Sequence, residues 1–182
     1  KGNLGGHMIA CDIAIVGGGI IGCAIARELS RYSLRTLVVE AANDIACGTT
    51  KANGGLIHSG YDPAPGTMKS KVNARGNKLY SVWSKELGFE FKRTGSMVLA
   101  FTQSDCDHLQ TLLENGHANG VEGLEIIGPE RIHELEPQAS PDSIQALYCP
   151  HTGIVDPFDV AIAAAENAAS NGVEFLFNAP VH

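Results

Sequence analysis

The sequence is short of basic residues, of paired cysteines and of repetition. Thirteen Lys and Arg stand against 20 Asp and Glu, a net charge of −7. Without a basic excess to neutralise phosphates, nucleic acid is not an expected partner, although a few local cations can still hold a small anion. The five cysteines (Cys11, Cys23, Cys47, Cys106 and Cys149) are scattered and contain no C-x-x-C pair. That pattern argues against a disulfide framework and against zinc, so no metal is expected and a reducing cytoplasm fits best. There is no run of like charge and no internal repeat. The apolar stretch at residues 9–26 is broken by Asp12 and by Gly17-Gly18-Gly19, and no signal peptide, lipidation motif or membrane-spanning helix is expected. Residues 1–7, ahead of Met8, read as vector-derived.

What remains is a chain of 182 residues with 44% hydrophobic and 18% charged content, sufficient for one ordinary domain or parts of two. Residues 12–16 form an apolar, β-branched run that stops at glycine and predicts a strand buried on both faces. Residues 20–31 predict a helix, and residues 35–40, with Thr36-Leu37-Val38-Val39 inside, a second buried strand. Together they make a βαβ unit. Residues 46–61 read as a long Gly/Thr/Asn-rich loop, a length that usually marks function.

Thr67 is placed to cap a helix running to Leu87, on which Met68, Val72, Gly76, Leu79, Trp83 and Leu87 share a stripe expected to pack in the core. Strands are predicted over 89–92, 97–101, 125–127, 144–149 and 173–177. Helices are predicted from Ser104 or Asp105 to Asn119, from Pro129 to before Pro137, and from Pro157, capped by Asp156, to Asn171.

The chemistry lies in Gly17-Gly18-Gly19-Ile20-Ile21-Gly22, which matches G-x-G-x-x-G. Gly17 permits a tight turn out of the strand, Gly19 leaves room for a pyrophosphate, and Gly22 lets the helix approach the strand closely. The helix start then offers amide N–H groups and a positive dipole end to phosphate. The pattern alone is weak. Here it follows a predicted strand, opens a predicted helix, and is followed by Glu40 at the end of the second strand. A carboxylate there accepts hydrogen bonds from ribose hydroxyls and repels a 2′-phosphate, which argues against NADP.

With the glycine motif and Glu40, the loop Gly48-Thr49-Thr50-Lys51-Ala52-Asn53-Gly54-Gly55-Leu56-Ile57-His58-Ser59-Gly60-Tyr61 resembles the D-amino-acid-oxidase-like flavoproteins. Pro65-Gly66-Thr67-Met68-Lys69-Ser70-Lys71, Gly95-Ser96-Met97-Val98-Leu99-Ala100 and Gly153-Ile154-Val155-Asp156-Pro157 extend the likeness. The nearest branch holds glycerol-3-phosphate dehydrogenases and L-2-hydroxyglutarate oxidases.

The resemblance implies an FAD-dependent oxidoreductase with FAD on Gly17, Gly19, Ile20, Gly22 and Glu40. It puts Thr49 and Thr50 near the pyrophosphate and Asn53, Gly54, Gly55, Leu56 and Ile57 beside the flavin. It places Val181 near the adenine and His58 on the substrate side, as the candidate catalytic base. The expected fold is α/β: a Rossmann-like FAD-binding parallel sheet from 9–66 and 150–182, with part of a second, α+β substrate-side domain from 67–149. Family members are longer, so the chain corresponds to an N-terminal portion, is expected to be inactive alone, and exposes sheet edges through which a homo-oligomer can form.

Several residues carry a plainer reading beside the functional one. His58 can also be a hydrogen-bonded loop histidine, and His108, His117, His133 and His151 show no ligand spacing. Lys71, Arg75 and Lys78 share a helical face that could draw in an anionic substrate, but a solvated face explains them better; Lys69 is a separate candidate. Cys47 reads as a small buried residue. At the level of function, the main reading is hydride transfer from glycerol 3-phosphate or a 2-hydroxy acid to flavin, with the electron acceptor open. The alternatives are an amine or amino-acid oxidase of the same superfamily and a truncated, non-catalytic nucleotide-binding module. An NAD-dependent dehydrogenase shares the glycine motif but does not explain the loop 48–61.

Overall fold

The computed structural model describes residues 9–181; the residues read as vector-derived lie outside the described part. In chain order the elements are β1 Ile13–Val16, α1 Ile20–Leu29, β2 Thr36–Val39, a 3-10 turn at Thr49–Lys51, β3 Leu56–Ile57, α2 Met68–Leu87 and β4 Phe91–Arg93. They continue with β5 Ser96–Ala100, α3 Gln103–Ala118, β6 Glu125–Ile127, α4 Pro129–Leu135, β7 Gln145–Cys149, β8 Gly153–Val155, α5 Pro157–Ser170 and β9 Glu174–Leu176. The described chain divides into two units, residues 9–54 with 87–89 and 156–181, and residues 55–86 with 90–155.

The first unit is built on the βαβ pattern. β1 and β2 run parallel, from Ile13 opposite Thr36 to Val16 opposite Val39. β9 joins the far side of β2, also parallel, giving the order β1-β2-β9. α5 starts where the sequence predicts it: Pro157 occupies the first turn and Asp156 accepts from the Phe158 amide at 2.8 Å. Ala26 of α1 and Ala168 of α5 bury against Ile15, Val38 and Val173, so both helices cover one face of the sheet. The small alanines let the helices lie close to each other and to the strands. β1 departs from the expectation of burial on both faces. It is an edge strand, and while Ile15 is buried, Ala14 and Val16 are exposed. An apolar run cannot distinguish a central strand from an edge strand whose second face is open.

The second unit holds two antiparallel sheets. β5, β7 and β6 form one, with β7 in the centre. α3 packs on it through Leu109 and Leu112, which meet Ala100, Val121, Leu124, Leu147 and Cys149. The start of α3 is a capping box in which Thr102 accepts from the Asp105 amide and Asp105 accepts from the Thr102 amide, so the helix begins at Gln103, one or two residues earlier than the sequence suggests. α4 packs on the same sheet through Ile132, against Ile127 and Ala146. The other sheet places β8 between β3 and β4. β3 and β8 are too short to show a period in sequence. Their pairing groups residues 55–66 and 150–155 with this unit, whereas the sequence reading drew the divide at 66 and 150.

α2 is the clearest departure. Thr67 caps it as predicted, accepting from the Ser70 amide at 3.2 Å. The first part of the apolar stripe is turned outward, however: Met68 is 72% exposed and Val72 56%, and Leu79 is exposed too, whereas Trp83 and Leu87 are half-buried. The residues it buries are Ser70 and Asn77. Hydrogen bonds from Asn77 to loop carbonyls dock the middle of this helix, and Tyr80, its ring 6.0 Å from that of Phe91, adds an aromatic contact.

The caps and the β7 sheet set the expected stability. Leu109→Ala should cost about 2–5 kcal/mol, because a fully buried side chain leaves a cavity. Thr102→Ala should cost about 1 kcal/mol. Urea unfolding followed by far-UV circular dichroism measures both, and equal costs for the two variants would contradict the packing described.

Candidate functional site

The glycine turn is the best-defined polar construction in the first unit. Gly17 adopts φ +104°, which a side chain would strain. A Cβ at position 22 would run into the Gly17 carbonyl oxygen, so this residue must be glycine for α1 to leave β1 as it does. α1 begins at Ile20, with Gly19 at its cap position and no side-chain cap of its own. The cap comes from thirty residues away in sequence, as Thr50 Oγ1 accepts from the Ile20 amide at 3.0 Å. The first-turn amides of Ile21 and Gly22 have no acceptor among the described residues. A helix start of this kind favours an anion.

Glu40 faces the turn. Its Oε2 accepts from the Gly18 amide at 2.5 Å and its Oε1 from the Ala42 amide at 2.8 Å. These two backbone donors, Ala42 first, hold the carboxyl below its ordinary range. Beneath the turn, Cys23 is fully buried and its thiol lies 3.4 Å from the Gly18 carbonyl. Burial, reinforced by the charge on Glu40, pushes that thiol up to about 11, so it stays protonated.

An open groove of about 440 Å³ runs along this turn, lined by Gly17, Gly19, Gly22, Thr49, Thr50 and Asn53, with Val16, Ile21 and Ile25 on its apolar side. A cradle that added Cβ atoms would crowd, open helix amides and a carboxylate at the end of β2 together fit the phosphates and ribose of a dinucleotide. Within the loop, Asn53 Nδ2 donates to the Thr50 carbonyl at 2.7 Å and closes the 3-10 turn that carries Thr49 and Thr50. Gly54 and Val181 are exposed, and Cys47 is half-buried rather than buried.

The second unit carries the rest of the predicted set. Gly55 is buried, Leu56 and Ile57 form β3, and His58 follows directly, exposed. His58 lines a small cavity of about 100 Å³ with Tyr61, Asp62, Lys69 and Asn73. Lys69 pairs loosely with Asp62 at 3.6 Å. Lys71, Arg75 and Lys78 are all exposed, and Lys78 lies 3.9 Å from Glu122.

The sequence reading missed the polar residues that hold this loop. Asn77 binds the His58 carbonyl, Arg93 holds Asn77 from behind, and Asn119 donates to the carbonyls of Gly60 and Pro63 at 2.9 and 2.8 Å. The available signal was an asparagine within a helix stripe and another at a helix end, where a polar side chain often bonds backbone. Among the described residues no three His, Cys, Asp or Glu side chains gather as a metal site requires, and no helix is long and apolar enough to cross a membrane.

A lowered carboxyl stabilises the fold above its ordinary range, and that contribution is lost as pH falls through the lowered folded value. The stability gap between wild type and Glu40→Gln should therefore be full near neutrality and shrink towards acid. Melting temperatures from pH 7 down to pH 3 (roughly, bracketing an ordinary carboxyl) test this; a gap that does not change with pH would contradict the geometry. Gly22→Ala should displace α1 and abolish binding of ADP, read by calorimetry.

Comparison with known proteins places these observations. The chain is 48% identical over 168 residues to a glycerol 3-phosphate dehydrogenase of Caloramator mitchellensis, covering 92% of this chain and 35% of that protein. It is 39% identical over 169 residues to the mitochondrial L-2-hydroxyglutarate dehydrogenase of Homo sapiens, covering 92% of this chain and 36% of that protein. The chain thus spans little more than a third of the length of these two relatives. The structure of the dithionite-reduced L-alpha-glycerophosphate oxidase of Mycoplasma pneumoniae with FAD bound superposes with a TM-score of 0.90 at 34% identity, over 94% of this chain and 45% of that one. Residues 12–182 match the DAO family, and the chain belongs to these FAD-dependent oxidoreductases.

Proposed function

We propose that the chain supplies the cofactor-holding turn and the His58 segment of an FAD-dependent dehydrogenase or oxidase acting on a small anionic hydroxy substrate, glycerol 3-phosphate or a 2-hydroxy acid. The observation that carries this reading is the first turn of α1. It has open amides at Ile21 and Gly22 and Thr50 bonded to Ile20, all beside an open groove, with Glu40 across the turn. In this reading Ile20, Ile21 and Gly22 face the pyrophosphate, with Thr49 and Thr50 beside it. Glu40 exchanges backbone partners for ribose hydroxyls, Val181 lies near the adenine, and Asn53, Gly54, Gly55, Leu56 and Ile57 border the flavin. FAD, when bound, supplies the hydride acceptor.

His58 takes the hydroxyl proton as the carbinol C–H gives up its hydride, so alcohol becomes ketone and the two electrons leave with the hydride. Lys69, which lines the same small cavity as His58, is placed to attract the substrate's anionic group. The glycerol 3-phosphate and 2-hydroxyglutarate enzymes among the relatives support this substrate class. Five free cysteines support a reducing compartment such as the cytoplasm.

The test is anaerobic mixing of the FAD-loaded full-length protein with glycerol 3-phosphate, with L-2-hydroxyglutarate and, as a contrast, with L-proline and glycine. Bleaching of the flavin by one of the hydroxy compounds is expected. Bleaching by an amino acid alone, or by none, would overturn the proposal. His58→Gln should slow bleaching by about 10²–10⁴-fold while leaving FAD bound.

A further inference from the structure

We infer that Asn77 is the positioning residue of His58, and that Arg93 sets its orientation. The inference rests on the reading of His58 as proton acceptor and adds the device that holds it.

Asn77 lies mid-way along α2 and is 6% exposed, an unusual place for a carboxamide. Its Nδ2 donates to the carbonyl of His58 at 3.1 Å and to that of His151 at 2.9 Å, with the Ile57 carbonyl further off at 3.4 Å. Two hydrogens thus serve the end of β3 and the turn that enters β8. The other end of the carboxamide is determined by chemistry. Arg93 Nη1 donates to it at 2.8 Å, and because a guanidinium can only donate, the atom it meets is the oxygen. Arg93 also donates from Nη1 to the His151 carbonyl, and from Nη2 to the Asn77 carbonyl at 3.3 Å and to Ser81 Oγ at 2.7 Å. Its ring neighbour Phe91, 4.8 Å from the guanidinium carbon, braces the group from β4.

The consequence falls on the backbone of His58. The imidazole is exposed, so side-chain packing does not fix its place. What fixes it is the peptide on either side. Asn77 holds the His58 carbonyl, the hydroxyl of buried Ser59 is met by the Cys149 thiol at 3.0 Å, and Asn119 holds Gly60 and Pro63 further on. Asn77 is the contact nearest the imidazole, and the only one of these that reaches the His58 peptide itself. A base displaced by an ångström loses its alignment with the proton it removes.

The experiment is a double comparison in the FAD-loaded full-length protein. Asn77→Ala should lower the rate of flavin bleaching by hydroxy substrate about 10- to 100-fold, with little change in the substrate concentration for half-maximal rate. In the His58→Gln background the same substitution should cost nothing further, because the residue it positions is gone. An equal loss in both backgrounds would overturn the proposal and make Asn77 a general structural residue. The same chain without substrate gives an independent reading by NMR. The His58 carbonyl and imidazole signals should move in Asn77→Ala while those of His108, His117 and His133 stay, and unmoved His58 signals would also overturn it.

If His58→Gln proves harmless to turnover, the assignment of the base fails. The NMR result still decides whether Asn77 holds that peptide. Should Asn77→Ala not fold, Arg93→Lys carries both comparisons. It keeps the charge and leaves Asn77 in place, but a single ammonium cannot reach the Asn77 oxygen, the His151 carbonyl and Ser81 with the geometry of a fork.

Discussion

A helix that starts in the open leaves amide hydrogens that something must answer, and the first unit is organised around that demand at α1. Gly22 lets the helix lie close to the turn, and Gly19, at the cap position, has no side chain with which to cap it. The answers come from elsewhere in the chain. Thr50 reaches in from a 3-10 turn to the first helical amide, and Glu40 reaches across from β2 to the amide of Gly18. These two bonds tie the turn to β2 and to the loop that follows it. The groove, the buried thiol of Cys23 and the open amides of Ile21 and Gly22 are where they are because of this arrangement.

Much of this was legible in the residue order. A β-branched run ending in glycine, an alanine-rich helix and a second run closing on an acid can satisfy few structures besides a βαβ unit. Asp156-Pro157 gave away the start of α5 by the same local logic. What the sequence hid was everything decided by distant partners. The two-residue strand Leu56–Ile57 has no period to read and exists because β8 offers it a ladder. The exposure of Ala14 and Val16 follows from the position of β1 at a sheet edge, which composition does not encode.

The orientation of α2 shows the same limit from the other side. Its apolar stripe is real at helical spacing, and spacing alone predicts burial. Carbonyl groups of the His58 loop and the β8 turn lacked donors, and Asn77 satisfied them, so the helix presented its polar face inward. Leaving buried carbonyls unpaired costs about as much as a substantial apolar contact gains. Hydrogen-bond satisfaction therefore competes with hydrophobic burial on equal terms, and at α2 it prevails. His58 was legible as a candidate, but the clasp behind it was not, because it joins residues from three separate stretches.

The parallel ladder between β2 and β9 brings its own consequence for how the molecule is made. Leu37 to Val39 are synthesised well before their partners Glu174 to Leu176. The intervening residues include the whole second unit, whose sheets pair within themselves. During synthesis that unit can close while β1 and β2 still wait for their third strand. The glycine turn before α1 therefore gains its third strand only after the second unit has been made.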